Sequence, residues 1–137
     1  MEKILNPILN ALVVVLRPLR RRPLGYVYPT ALLQRWATAA VHASGGTDFY
    51  YDARFRRVMA GPAPLAQALD AVSGVLYVYP VMQAGETQAI VFVTDSSIDW
   101  TTGYLVCIGS TVPTAHRPGP FDHLEPINEK VYRFESR

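Results

Sequence analysis

VLYVYPVM at residues 75–82, TQAIVFVT at 87–94 and WTTGYLVCI at 100–108 decide how this chain folds. All three are rich in β-branched and aromatic residues. Gln83-Ala84-Gly85-Glu86 and Asp95-Ser96-Ser97-Ile98-Asp99 punctuate them, so each reads as a strand bounded by turn residues. Consecutive strands joined by short loops make an antiparallel meander. Pairing about the first turn sets Met82 opposite Thr87 and Val78 opposite Val91. In the third strand Tyr104, Val106 and Ile108 share one face, and Leu105 and Cys107 the other.

Upstream of the meander, Pro29-Thr30 can start a helix that runs through Ala43 and stops at Ser44-Gly45-Gly46, where glycine tolerates the left-handed conformation. Leu32, Trp36, Ala39 and Ala43 recur at helical spacing on one face, and Leu33, Ala37, Ala40 and Val41 broaden it. Residues 48–59 have no cleanly apolar face and read as an edge strand or hairpin, or as a short helix. Gly61-Pro62-Ala63-Pro64 punctuates the chain before a short helical stretch over 65–72, which Ser73-Gly74 ends. Downstream, residues 112–126 contain four prolines and read as a loop, and 131–134 as a last strand. The expected architecture is therefore α+β. It is a single domain in which one main helix packs on a curved antiparallel sheet, the three-strand meander plus edge strands. This order of elements resembles that of cystatin and nuclear-transport-factor-2 folds, a likeness of order that no sequence motif accompanies.

The chain has 137 residues, half of them hydrophobic and 18% charged, a composition that excludes intrinsic disorder and suits one domain. A lone cysteine, Cys107, excludes an intramolecular disulfide framework and a cysteine-rich zinc site. Net charge is +2, but it is divided unevenly. Residues 1–25 hold Lys3, Arg17, Arg20, Arg21 and Arg22 against Glu2 alone, so they carry all of the excess positive charge, and residues 26–137 are slightly acidic.

That division marks residues 1–25 as an apolar, basic docking or anchoring segment ahead of an α+β body over 26–137. Asn6-Pro7 can begin a helix, and from Ile8 to Leu16 only Asn10 is polar. A helix apolar on every side must be buried in protein or lipid. From Pro7 to Arg17 it would be about 16 Å long, too short to span a bilayer core. Positive charge after the apolar run, rather than before it, fits a secretory signal poorly. Ile8, Leu9, Leu12, Val15 and Leu16 would supply apolar contact with a partner, and Arg17, Arg20, Arg21 and Arg22 the charged rim.

Catalytic signals are weak. Cys107 sits between Val106 and Ile108, where a packed core thiol is the ordinary reading. His42, His116 and His123 stand in no recognised catalytic or metal-binding spacing; the best local cluster, Asp122, His123 and Glu125 with His116 nearby, lies in the proline-rich stretch. Asp95 and Asp99 flank a turn and are ordinary turn residues. Arg54, Arg56 and Arg57 interleave with Tyr50, Tyr51 and Phe55, a mixture that can stack bases and contact phosphates. The slightly acidic body places nucleic acid behind the other partners.

The expectation is a non-catalytic accessory, assembly or structural subunit with neither cofactor nor metal. It docks on a protein complex or a second copy of itself through residues 1–25, or on a membrane surface. A small ligand-binding or enzymatic helix-on-sheet domain, and a nucleic-acid-associated protein, are the alternatives. The lone cysteine and lack of an export pattern place it in the cytoplasm or on the inner face of a membrane.

Overall fold

A computed structural model describes residues 28–137. The segment 1–25, with every docking residue expected from Ile8 to Arg22, lies outside the described residues. Helix α1 spans Thr30–Ser44. Gly45 takes a left-handed conformation, φ 66°, and its N–H and that of Gly46 return to the carbonyls of His42 and Val41, the capping pattern that its two glycines permit. A hairpin follows, β1 (Tyr50–Asp52) and β2 (Arg57–Ala60), and then a one-turn helix α2 (Pro64–Ala68). The meander is β3 (Tyr77–Gln83), β4 (Glu86–Ser96) and β5 (Thr101–Cys107). A two-stranded ribbon, β6 (Ala115–His116) with β7 (Gly119–Pro120), precedes β8 (His123–Pro126) and β9 (Val131–Ser136).

Seven strands form one antiparallel sheet in the order β2-β1-β3-β4-β5-β9-β8. This is a larger sheet than a three-strand meander with edge strands, and among the described residues two helices, α1 and α2, accompany it. Part of the difference lies in residues 112–126. Their prolines hide β8, which survives as the outermost strand because an edge strand has only one neighbour to satisfy. Pro80 is tolerated inside β3 for a similar reason: β1 pairs with β3 only at Tyr77 and Val78, so at Pro80 the strand is flanked by β4 alone.

Two registers depart from simple alternation. Met82 does pair with Thr87, but Val81 pairs with Ala89, so Gln88 is an extra residue. This bulge moves Val78 opposite Phe92 and Tyr79 opposite Val91, one place from the expected pairing. A second irregularity leaves Thr94 unpaired between Val93 and Asp95. Bulges add twist and bend to a strand, which lets β4 serve as the middle of the sheet.

The helices cover one face. Leu33, Trp36, Ala37, Ala40 and Ser44 are the buried residues of α1, so the buried stripe is rotated by roughly 90° from one centred on Leu32, Trp36, Ala39 and Ala43, at ~100° per residue. Leu32 and Ala43 remain at its margin, partly buried. Val78, Ile90, Phe92, Tyr104, Val106 and Val131 rise from the sheet to meet this stripe, with Leu65 and Leu69 sealing the end under α2. Trp36 lies 6.1 Å from Phe92, ring centre to ring centre. Gly103 is required where β5 crosses β4, because a Cβ there would stand 2.0 Å from the Phe92 carbonyl oxygen.

Candidate functional site

Among the described residues, no helix lies over the opposite face of the sheet. Strand alternation points Tyr50 and Asp52 of β1, Tyr77, Tyr79 and Val81 of β3, Leu105 and Cys107 of β5 and Phe134 of β9 to this side. Tyr79, Ala89, Val91, Val93, Leu105, Cys107 and Phe134 form its buried centre, and Tyr50, Tyr77, Val81, Phe121, Leu124 and Tyr132 are packed around it half-buried. Part of the cover comes from the arm that carries β6 and β7.

A band of parallel rings crosses this face. Tyr50 stacks on Tyr77 at 5.4 Å and on Tyr79 at 5.5 Å; Tyr79 stacks on His116 at 6.1 Å, and His116 on Phe121 at 4.4 Å. Phe134 meets both His116 and Phe121 edge-on at 5.1 Å, the alternative favourable geometry for aromatic quadrupoles. Two arginines flank the band. The Arg54 guanidinium lies 4.7 Å from the Tyr77 ring centre, and that of Arg117 lies 5.2 Å from Tyr50 and 5.3 Å from Tyr79. These are cation–π distances.

Each arginine is also held by a carboxylate. Asp52, buried, accepts from Arg54 Nε at 3.2 Å and Nη2 at 3.1 Å, and Arg54 Nη2 donates to the Tyr77 hydroxyl at 2.6 Å. The hydrogen bond to Asp52 raises the Arg54 pKa above its already high ordinary value. Arg117 Nη2 donates to Asp48 and, at 2.8 Å, to the Phe49 carbonyl. The arm is thereby tied to the chain just before β1, 68 residues away.

His116 is the centre of the arm's attachment. It is 7% exposed, and its Nδ1 shares a 2.8 Å hydrogen bond with the Tyr79 hydroxyl. Its Nε2 has no hydrogen-bond partner among the described residues. Burial lowers the His116 pKa to about 4, because an imidazolium here would have to be charged in an apolar stack. Burial likewise raises the Tyr79 and Cys107 pKa values. The ring of His116 is thus neutral, the thiol of Cys107 protonated and the hydroxyl of Tyr79 un-ionised near neutral pH. None of the three is poised for acid, base or nucleophile chemistry.

No family model, no curated protein and no solved structure matches this chain.

The other residues considered from sequence are scattered. Asp122, His123 and Glu125 are all exposed and lie apart from the buried His116; Asp122 accepts instead from the Arg137 N–H. Among the described residues no group of three or more potential metal ligands comes together. Asp95 accepts from the Ser96 N–H at 2.9 Å, as a turn aspartate does. His42 lies exposed in the last turn of α1. Of the interleaved arginines and tyrosines, Arg54 joins the band, Arg56 faces Asp70 at 3.5 Å, and Tyr51 is buried on the helix side. Tyr77, Tyr79, His116, Phe121 and Arg117 were not singled out as one site from sequence. Alternation places Tyr77 and Tyr79 together, but no local signal joins them to residues 116–121.

Proposed function

We propose that this chain is a non-catalytic accessory subunit that docks on a partner protein, with residues 1–25 as its tether and the tyrosine–arginine face as its contact surface. One observation supports the reading above others: a pre-ordered band of part-exposed Tyr50, Tyr77, Arg54 and Arg117 lies on the side of the sheet away from α1 and α2. Tyrosine and arginine are the residues that most often anchor protein interfaces, because they bury large rigid areas and still satisfy polar groups. Here stacking and ion pairing fix their rotamers before any partner arrives, which lowers the entropic cost of association. Quenched titratable groups at the same place argue for binding rather than turnover.

The test is co-purification of the full chain at native expression with its variants. Leu12→Asp, in the tether, and Tyr50→Asp, on the face, are each expected to release a stoichiometric protein partner. Replacing Arg20, Arg21 and Arg22 by glutamine is expected to leave it bound, since apolar burial tolerates the loss of screened surface charge. A partner retained by Tyr50→Asp and lost with the three arginines contradicts the reading. In the same full chain, among the described residues, no helix is long and apolar enough to cross a membrane.

A further inference from the structure

The arm stands apart from the ladder it covers. Among the described residues β6 and β7 pair only with each other, while the seven-stranded sheet passes from β5 to β9 and β8 without them. The Phe121 N–H donates to the Thr114 carbonyl at 2.9 Å, which closes residues 114–121 into a ribbon of their own. Three polar contacts bind that ribbon to the rest of the domain. His116 Nδ1 meets the Tyr79 hydroxyl at 2.8 Å, Arg117 clasps Asp48 and the Phe49 carbonyl, and Ser136 Oγ donates to the Pro120 carbonyl at 2.8 Å. Lifting the ribbon breaks these contacts and parts no pair of the seven-stranded ladder.

His116 is the deepest of the three anchors. Tyr79 faces its ring from β3 and Phe134 from β9, while Phe121 stacks on it from the ribbon. Tyr50 of β1 stacks behind Tyr79, and Cys107 of β5 and Tyr132 of β9 are further titratable groups of this face. Asp52 is held by Arg54 and Asp48 by Arg117, the charge adjoining His116 in the chain; among the described residues no carboxylate pairs with the imidazole. An imidazolium would carry a proton on each nitrogen. Tyr79 can receive one, and nothing among the described residues receives the other at the buried Nε2. The closed ribbon therefore holds the ring neutral, with its pKa lowered to about 4 by burial. In a lifted ribbon water reaches the ring, and its pKa returns towards the ordinary 6.5. Protonation thus favours lifting. The closed state is fully supported above pH 6.5 and loses that support as pH falls towards 4.

We propose that the β6–β7 ribbon is an acid-released latch: it closes on the sheet while His116 is neutral and swings off when His116 gains a proton, taking Arg117 from Tyr50 and Tyr79. This goes beyond the docking reading, and it holds or fails in the free chain with no partner present.

Nuclear magnetic resonance of the full chain, titrated from pH 7 to 4.5, tests it. The ratio of closed to lifted ribbon is expected to fall by roughly 50-fold over that range, the effect of a pKa that differs between about 4 and 6.5 in the two states. Contacts between the His116 and Phe134 rings, and between Arg117 and the Tyr50 ring, should fade as His116 titrates, while those between Trp36 and Phe92 remain. In His116→Phe, which keeps an aromatic ring and cannot gain the charge, the Arg117 contacts with Tyr50 should persist throughout. His123→Gln, at an exposed histidine outside the ribbon, should behave as wild type. Ribbon contacts that survive protonation of His116 overturn the proposal, and so does their fading in His116→Phe as in wild type. Loss of the Trp36–Phe92 contacts in the same step also overturns it, because the whole domain would then be unfolding. The wild-type spectra decide even where His116→Phe does not fold: a His116 ring that stays neutral and stacked down to pH 4.5 is no latch.

Discussion

Leu33, Leu65, Phe92 and Val131, each at 0% exposure, close the helix-covered face of the sheet with apolar contact that needs no polar partner. Across the sheet, Tyr79, His116 and Arg117 close the other face with directional contacts: one ring-to-ring stack, one hydrogen bond and one clasp onto the chain before β1. The first kind of cover cannot be removed without emptying the core. The second rests on a few polar and ring contacts above a smaller buried cluster.

The largest effects should come from the helix side. Phe92→Ala is expected to cost about 3–5 kcal/mol in urea unfolding, as emptied aromatic core sites do, out of the ~5–15 kcal/mol that holds a typical domain. Trp36→Ala, at the edge of the same stripe with 6% exposure, should fall in that range too. Unchanged stability in both variants would erase the contrast between the faces.

Next in size is a pH effect specific to His116. Its folded pKa of about 4 lies below the ordinary 6.5, so the folded state binds fewer protons than the unfolded chain between those values. The contribution of neutral His116 is whole above pH 6.5 and is lost as pH falls towards 4, by an amount approaching ~3 kcal/mol. Unfolding measured across that range should be steeper in wild type than in His116→Gln. Parallel curves would mean that the ring is charged or solvated in the fold. Tyr79→Phe, which strands His116 Nδ1, should cost about 1–3 kcal/mol and loosen the arm more than the core. Smallest is Arg117→Ala. Its ion pair with Asp48 is half-exposed, so stability should change by no more than about 1 kcal/mol, while partner affinity should fall. A large loss of stability would place Arg117 with the core and not with the contact face.

The sequence made the meander and α1 readable because their patterns are local. β-branched runs bounded by Gly85 and by the 95–99 turn, and a helix closed by Gly45, need no knowledge of distant residues. Gln88 shows where that ends. Nothing in TQAIVFVT marks the bulge, yet it moves the β3–β4 register by one place. The stripe on α1 was rotated for a related reason: Ala37 and Ala40 are small, so the helix turns them to the sheet and leaves the bulkier Leu32 at the margin. The candidate site was least legible. Its rings come from residues 50, 77, 79, 116 and 121, and the last two lie in a stretch whose prolines read as loop. Only the tertiary fold stacks them.

Hydrogen exchange of the full chain, alone and bound to the protein that co-purifies with it, tests the division between the faces most directly. Added protection is expected at residues 50–54 and 114–121 on binding, with α1 unchanged. Added protection confined to α1, or a full chain that co-purifies with no protein at all, would contradict it.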